Sequence, residues 1–244
     1  MNYPKFVNKY DPKSKWPYKL SRSKIDLFLE CPKCFYLDRR LGISRPSLPG
    51  FTLNVAVDVL LKKEFDLLIR QGVAHDLMKK YKIDAVPYSH PELEIWRNNF
   101  KGKEYHHEGT NFIISGAIDD IWINSKVELH IVDYKSTSTN DEISLEDKYK
   151  QALKRQMEIY QWIFIKSGFK VNDTGYFVYA NAGKGRDKFD GKLEFELSII
   201  AYKGKQDWIE PTLFEIKKVL NSNEVPKYSP DCEYCAYRNA SRKY

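Results

Sequence analysis

The sequence predicts an α/β fold, with a mixed central sheet flanked by helices and a helical N-terminal part. Three observations lead there. Apolar residues recur at helical spacing up to about residue 100, the period changes to two from about Glu104, and a helical stretch then divides two groups of strands. A strand followed by a helix and a further strand requires a crossover, so the sheet combines parallel and antiparallel pairs and carries helices on its faces.

Residues 1–20, with Pro4, Pro12 and Pro17, read as an extended arm, and residues 21–100 as the helical front. SRSKIDLFLECPKCFYLDRRLGI opens on serines suited to helix capping and is interrupted by Pro32, which predicts two short helices meeting at a cysteine pair. FTLNVAVDVLLKKEFDLLIRQG is a longer helix closed by Gly72, and 74–100 is expected to be helical in pieces around Pro87 and Pro91. In the core, 101–220, EYHHEG, NFIISGAIDDIWIN and VELHIVDYKST read as consecutive strands with turns at 109–111 and 124–126. SLEDKYKQALKRQMEIYQWIFIKSG is a helix ending at Gly168, and DTGYFVYANA and GKLEFELSIIAY are two more strands. KQDWIEPTLFEIKKVLNSN is a last long helix with Pro211 in its first turn. Residues 221–244 form a Pro-flanked tail with a second cysteine pair; no repeat or linker divides the chain, so one domain over 1–244 is expected.

At 244 residues with 42% hydrophobic content, the chain can bury a sizeable core. Lys and Arg number 40 against 33 Asp and Glu, a net charge of +7 that favours a polyanionic partner and equally serves solubility. No apolar run approaches the roughly 20 residues of a membrane helix, and the N-terminus lacks the apolar centre of a signal peptide. A cytoplasmic protein with no membrane partner is expected. There, two cysteine pairs of equal spacing, Cys31 with Cys34 and Cys232 with Cys235, point to metal ligation before disulfides.

The stretch GAIDDIWINSKVELHIVDYKSTST places acids and a lysine where an ordinary half-buried strand needs none. If its strands pair around Asn124, Asp119 and Asp133 converge, and Asp133 and Lys135 share a face because strand side chains alternate. Mg²⁺ and Mn²⁺ prefer carboxylate oxygens, and a lysine beside them can hold an attacking water and offset phosphate charge. Taken alone, the three residues would equally form a cross-strand ion pair at a sheet edge.

With these residues in place, the sequence resembles the PD-(D/E)XK nuclease superfamily, and within it the RecB-like branch that includes CRISPR-associated adaptation nucleases and the nuclease domains of bacterial helicase and nuclease complexes. The resemblance runs from SRSKIDLFLECPKCFYL through GAIDD and IVDYKST to RQMEIY and CEYCAYR, most of the chain. It implies a restriction-endonuclease-like core, Asp119 and Asp133 as metal-binding acids, and Lys135 as the catalytic lysine. Gln156 and Tyr160, four residues apart on one helix face, match the Q-x-x-x-Y motif that orients the active site and the DNA strand in that branch.

Two departures stand out. Where the family carries a histidine on the helix before the strands, this chain offers Asn54 and Asp58. Asp58, set among Val55, Ala56, Val57, Val59 and Leu60, is expected either to be a third metal-binding carboxylate or to face solvent in a protein that has lost activity. None of His75, His90, His106, His107 and His130 occupies the family's place. Asp120 is expected to point away from Asp119 as a surface acid or a support to the site. The tail has two cysteines where iron-sulfur members have three, with Ser241 near the missing one, and Cys34 restores four. Cys31, Cys34, Cys232 and Cys235 would suit a [4Fe-4S] cluster, which the resemblance favours, or Zn²⁺, which the two-plus-two spacing favours.

For nucleic-acid contact the candidates are Phe35, Tyr36, Arg39, Arg40, Tyr237, Arg238, Arg242, Lys243 and Tyr244, by stacking and phosphate contact, and the loop cations Lys184, Arg186 and Lys188. Each has a plain alternative as core or solvated surface. The resemblance implies a Mg²⁺- or Mn²⁺-dependent deoxyribonuclease, an exonuclease acting on single strands or duplex ends in repair, recombination or CRISPR adaptation, with partners from those pathways. The alternative is a nuclease fold that binds DNA or assembles complexes without cutting.

Overall fold

A computed structural model describes residues 8–46, 50, 52–147 and 150–242. By its contacts the chain falls into two compact units. One comprises Met1–Pro49, Tyr105–Ser115 and Asp207–Tyr244, the other Gly50–Glu104 and Gly116–Gln206.

The first unit holds β1 (Tyr18–Ser21), α1 (Arg22–Glu30), α2 (Pro32–Arg39), α7 (Ile209–Asn221) and α8 (Glu233–Ser241). Most of β3 (Lys103–His107) and β4 (Phe112–Gly116) belongs to it, in a three-stranded sheet of order β1-β4-β3 with β1 and β4 parallel. Pro32 starts α2, where its missing N–H would have had no helical partner. Pro211 lies in the first turn of α7, as its sequence requires. Ile209, Leu213, Ile216 and Leu220 of α7 recur at helical spacing and are all fully buried. The N-terminal arm ends as a paired strand because the apolar Tyr18 and Leu20 alternate with polar residues, and both are buried. Residues 1–7 of the expected arm lie outside the described residues. The cysteine tail contains a helix: its prolines end at Pro230, and α8 follows.

The second unit holds α3 (Thr52–Gln71), α4 (Asp76–Lys80), β2 (Val86–Pro87), α5 (Leu93–Trp96), β5 (Asp120–Ile123), β6 (Leu129–Thr137), α6 (Gln151–Lys166), β7 (Thr174–Ala182) and β8 (Phe195–Lys203). Its sheet runs β2-β5-β6-β7-β8, antiparallel throughout except for the β6–β7 pair, which α6 joins as a crossover. The mixed sheet flanked by helices is the expected class. On one face Val57, Leu61 and Phe65 of α3 pack with Trp122, Val132, Tyr134 and Val178. On the other, Met157, Tyr160 and Phe164 of α6 pack with Ile121, Ile131, Phe177 and Tyr179. Each such large apolar side chain contributes roughly 1.5–3 kcal/mol by leaving water. Gly72, at φ +66°, ends α3 in the left-handed conformation that favours glycine.

Three expectations are corrected. NFIISGAIDDIWIN is two strands in two different sheets, because the chain leaves pairing at Ala117–Asp119 and re-enters at Asp120. The stretch 74–100 contains β2 as well as helices; Pro87 is tolerated because β2 is an edge strand. The helix after β6 begins at Gln151, later than its apolar pattern predicted, and residues 148–149 of that prediction lie outside the described residues.

Candidate active site and cysteine centre

Alternation along β6 sends Val132 and Tyr134 toward α3 and Ile131, Asp133 and Lys135 toward α6. Asp133 is 1% exposed, a buried acid within the strand. Its Oδ2 is ion-paired with Lys135 Nζ, and its Oδ1 accepts a 2.7 Å hydrogen bond from Gln156 Nε2. The same amide donates to Tyr160 Oη at 3.2 Å. The four-residue spacing of Gln156 and Tyr160 therefore faces Asp133, and a buried carboxylate is held by one cation and one amide. Gly116 leaves room for this arrangement, since a Cβ there would overlap the Tyr160 ring.

Asp119 sits at a bend, one residue outside the Asp120–Val132 pair. Its Oδ2 accepts the backbone N–H of Tyr134 at 2.8 Å, and its carbonyl accepts Arg97 Nε at 2.9 Å. Its Oδ1 lies 3.0 Å from Lys62 Nζ, which is also 2.9 Å from Asp58 Oδ2. The ammonium of Lys62 therefore bridges Asp58 and Asp119. Burial pushes that ammonium's pKa down, and the charges of Asp119 and Asp58 more than offset this, so it stands above its ordinary value. Sequence reasoning missed Lys62; the signal available was its position one helical turn beyond Asp58.

Asp120 is fully buried and is not a surface acid. Its carboxylate accepts Tyr134 Oη at 2.7 Å, Arg97 Nη2 at 3.0 Å and its neighbour's Ile121 N–H at 2.8 Å. Burial holds the Asp120 carboxyl up at about 6 against the pull of Arg97. Arg97 also bonds Asp66 of α3 at 2.8 Å, so one buried guanidinium ties α3, the Asp119 bend and β5 together. Burial works against the Arg97 charge, and Asp120 and Asp66 outweigh it. No sequence pattern marks Arg97, which lies 22 positions from its Asp119 partner.

The second candidate centre lies in the first unit. Among the described residues, the one group of three or more His, Cys, Asp or Glu with ligand atoms all within 4.8 Å of one another is Cys31, Cys34, Cys232 and Cys235, all buried. Sγ separations are 3.9 Å for Cys31–Cys235, 3.6 Å for Cys34–Cys232 and 3.6 Å for Cys34–Cys235, too long for a disulfide. Zn–S bonds of about 2.3 Å in a tetrahedron place sulfurs about 3.8 Å apart. The four thiols thus have the donor type and spacing to hold a metal. Arg45 Nη2 approaches Cys232 Sγ at 3.6 Å, and its guanidinium stacks 4.6 Å over the Tyr234 ring. Burial raises the Cys31 thiol, but hydrogen bonds from the Cys34 and Ser229 backbone bring it down to about 7.

Of the proposed nucleic-acid contacts, Phe35 and Tyr36 are buried in the core, and Arg39 is engaged with buried Asp38. Tyr237 is 78% exposed beside Arg238. Lys184, Arg186 and Lys188 lie on the exposed β7–β8 connection, where Arg186 pairs with Glu194 and Lys188 with Asp190. Lys243 and Tyr244 lie outside the described residues.

A family model described as "PD-(D/E)XK nuclease superfamily" matches residues 53–240. No curated protein matches the chain. A solved structure described as "Crystal structure of SSO0001" is similar at 15% identity, covering 93% of this chain and 86% of that one, with a TM-score of 0.38. No helix among the described residues is long and apolar enough to cross a membrane.

Proposed function

The chain belongs to the PD-(D/E)XK nuclease superfamily, a family of metal-dependent nucleases, and we propose that this member hydrolyses phosphodiester bonds in DNA. We read it as a cytoplasmic exonuclease acting on single strands or duplex ends, with Mg²⁺ or Mn²⁺, in repair, recombination or CRISPR adaptation, and with protein partners from those pathways. The observation that carries the reading is the buried Asp133, held by Lys135 and Gln156, with Asp119 at the neighbouring strand end. An acid with so little exposure is kept for its charge, because a neutral side chain would remove the desolvation cost.

Asp119 and Asp133 would hold the divalent ion, and their hard oxygen donors fit it. When bound, that ion supplies Lewis-acid polarisation of the phosphate and an acidified water. Lys135 matches the phosphate charge and orients the attacking water, while Gln156 and Tyr160 keep Asp133 in one rotamer. Asp58 joins as a third carboxylate once Lys62 moves from between it and Asp119. At the cysteines, the sulfur separations support one tetrahedral ion such as Zn²⁺ over a [4Fe-4S] cluster, which would hold the thiolates further apart.

The Lys62 bridge also favours a second reading, a nuclease fold that grips DNA with its metal site closed by an internal cation. One experiment separates the two: cleavage of end-labelled single-stranded DNA by anaerobically purified protein, with Mg²⁺, Mn²⁺ or EDTA, beside Lys135→Ala. Metal-dependent cutting that the variant lacks supports the enzyme. Binding without cutting under either metal overturns it in favour of the second reading.

A further inference from the structure

Tyr179 stands on β7 directly in register with Lys135 on β6. The strands are parallel, so register partners project to the same face, here the α6 face that carries Asp133. The side chain is 2% exposed, and among the described residues its buried hydroxyl has no hydrogen-bond partner. Such a group is costly relative to a satisfied one, and phenylalanine would fill the same space without that cost.

One cation lies over the ring and another stands on its register partner. Lys135 is 23% exposed in its side chain, and Lys150, just before α6, holds its Nζ 5.2 Å from the Tyr179 ring centroid. Burial and the Asp133 charge hold the phenol up at about 12, so at neutral pH it is a hydrogen-bond donor. A buried donor without an acceptor, with an ammonium over its ring and another on its register partner, would be satisfied by an anionic oxygen arriving with a ligand.

We propose that Tyr179 and Lys150 form a phosphate subsite beside Asp133 and Lys135, in which the Tyr179 hydroxyl donates to a non-bridging phosphate oxygen of the nucleic-acid strand and Lys150 matches its charge. The subsite rests on the reading of Asp133 and Lys135 as the cleavage site. A phosphate that draws Lys135 or Lys150 outward brings its oxygen to the hydroxyl, and the strand is then held at two successive positions along the β6–β7 pair.

The test is Tyr179→Phe, with Lys150→Gln as companion, assayed on a short single-stranded oligonucleotide for cleavage, for binding by fluorescence anisotropy, and for thermal melting. Removing only the unpartnered hydroxyl should leave the melting temperature equal or higher and raise KM about tenfold. Lys150→Gln should raise KM with a weaker salt dependence. If the wild type cuts and Tyr179→Phe cuts with unchanged KM and kcat, the subsite is overturned while the cleavage site stands. If the wild type binds without cutting, about tenfold weaker binding by Tyr179→Phe supports the subsite and removes the cleavage reading. Equal binding by both proteins in that case removes both.

Discussion

Lys62 holds its ammonium 3.0 Å from Asp119 Oδ1, and by bridging to Asp58 it occupies the position between two acids where a divalent ion would compete. The pair is partly shielded, with both side chains 21% exposed, so the lysine is more than a solvated surface charge.

Replacing Lys62 by Met should therefore tighten Mn²⁺ binding about tenfold, because the ion no longer displaces a bound cation. In metal-free buffer the same variant should lose roughly 1 kcal/mol of stability, as expected for a partly exposed ion pair. Titration calorimetry and thermal melts check the two effects. Unchanged or weaker Mn²⁺ binding would show that the ammonium does not compete.

Asp133→Asn should abolish cleavage while keeping the fold, since an asparagine oxygen can still accept the Gln156 amide that bonds Asp133 Oδ1 at 2.7 Å. Asp133→Ala should abolish cleavage too, with a further loss of about 1–3 kcal/mol, because it leaves that amide buried without its acceptor. Denaturant midpoints for the two variants check the difference, and equal stability would sink the account of Gln156.

Stability should carry a pH signature from Asp120. Its carboxyl stands at about 6 in the folded protein because burial disfavours its charge, while an unfolded chain releases the proton near about 3.9. Between those values the folded state binds more protons. The group's contribution is thus present below about pH 4 and falls as pH rises through about 6, by on the order of 3 kcal/mol. Thermal melts of wild type and Asp120→Asn over this range should show the wild type losing ground with rising pH; parallel curves would refute it.

The cysteine centre should contain metal, and Cys235→Ser should lose it and lower the melting temperature, because metal affinity here is folding free energy. Elemental analysis with acid-labile sulfide decides its nature. About one Zn²⁺ per chain fits the 3.6–3.9 Å sulfur separations, whereas iron with sulfide would overturn the single-ion assignment.

The fold class and most elements were legible in the chain's local periodicity, which also put Asp119, Asp133 and Lys135 forward as candidates. Asp133 and Lys135 share a face by strand alternation, and Gln156 and Tyr160 by helical spacing. The two cysteine pairs marked a candidate metal centre by their spacing, although 198 positions separate Cys34 from Cys232. Tertiary structure alone decided which sheet each strand joined: β4 and β5 read as one run until the bend at Asp119 sent them to different sheets. It also decided the charges around the acids. Lys62, Arg97 and Tyr179 reach the site from α3, the segment after α5, and β7, and such pairings depend on where the chain returns in space. A local pattern carries no record of that return, so these partners became visible only once the sheet was assembled.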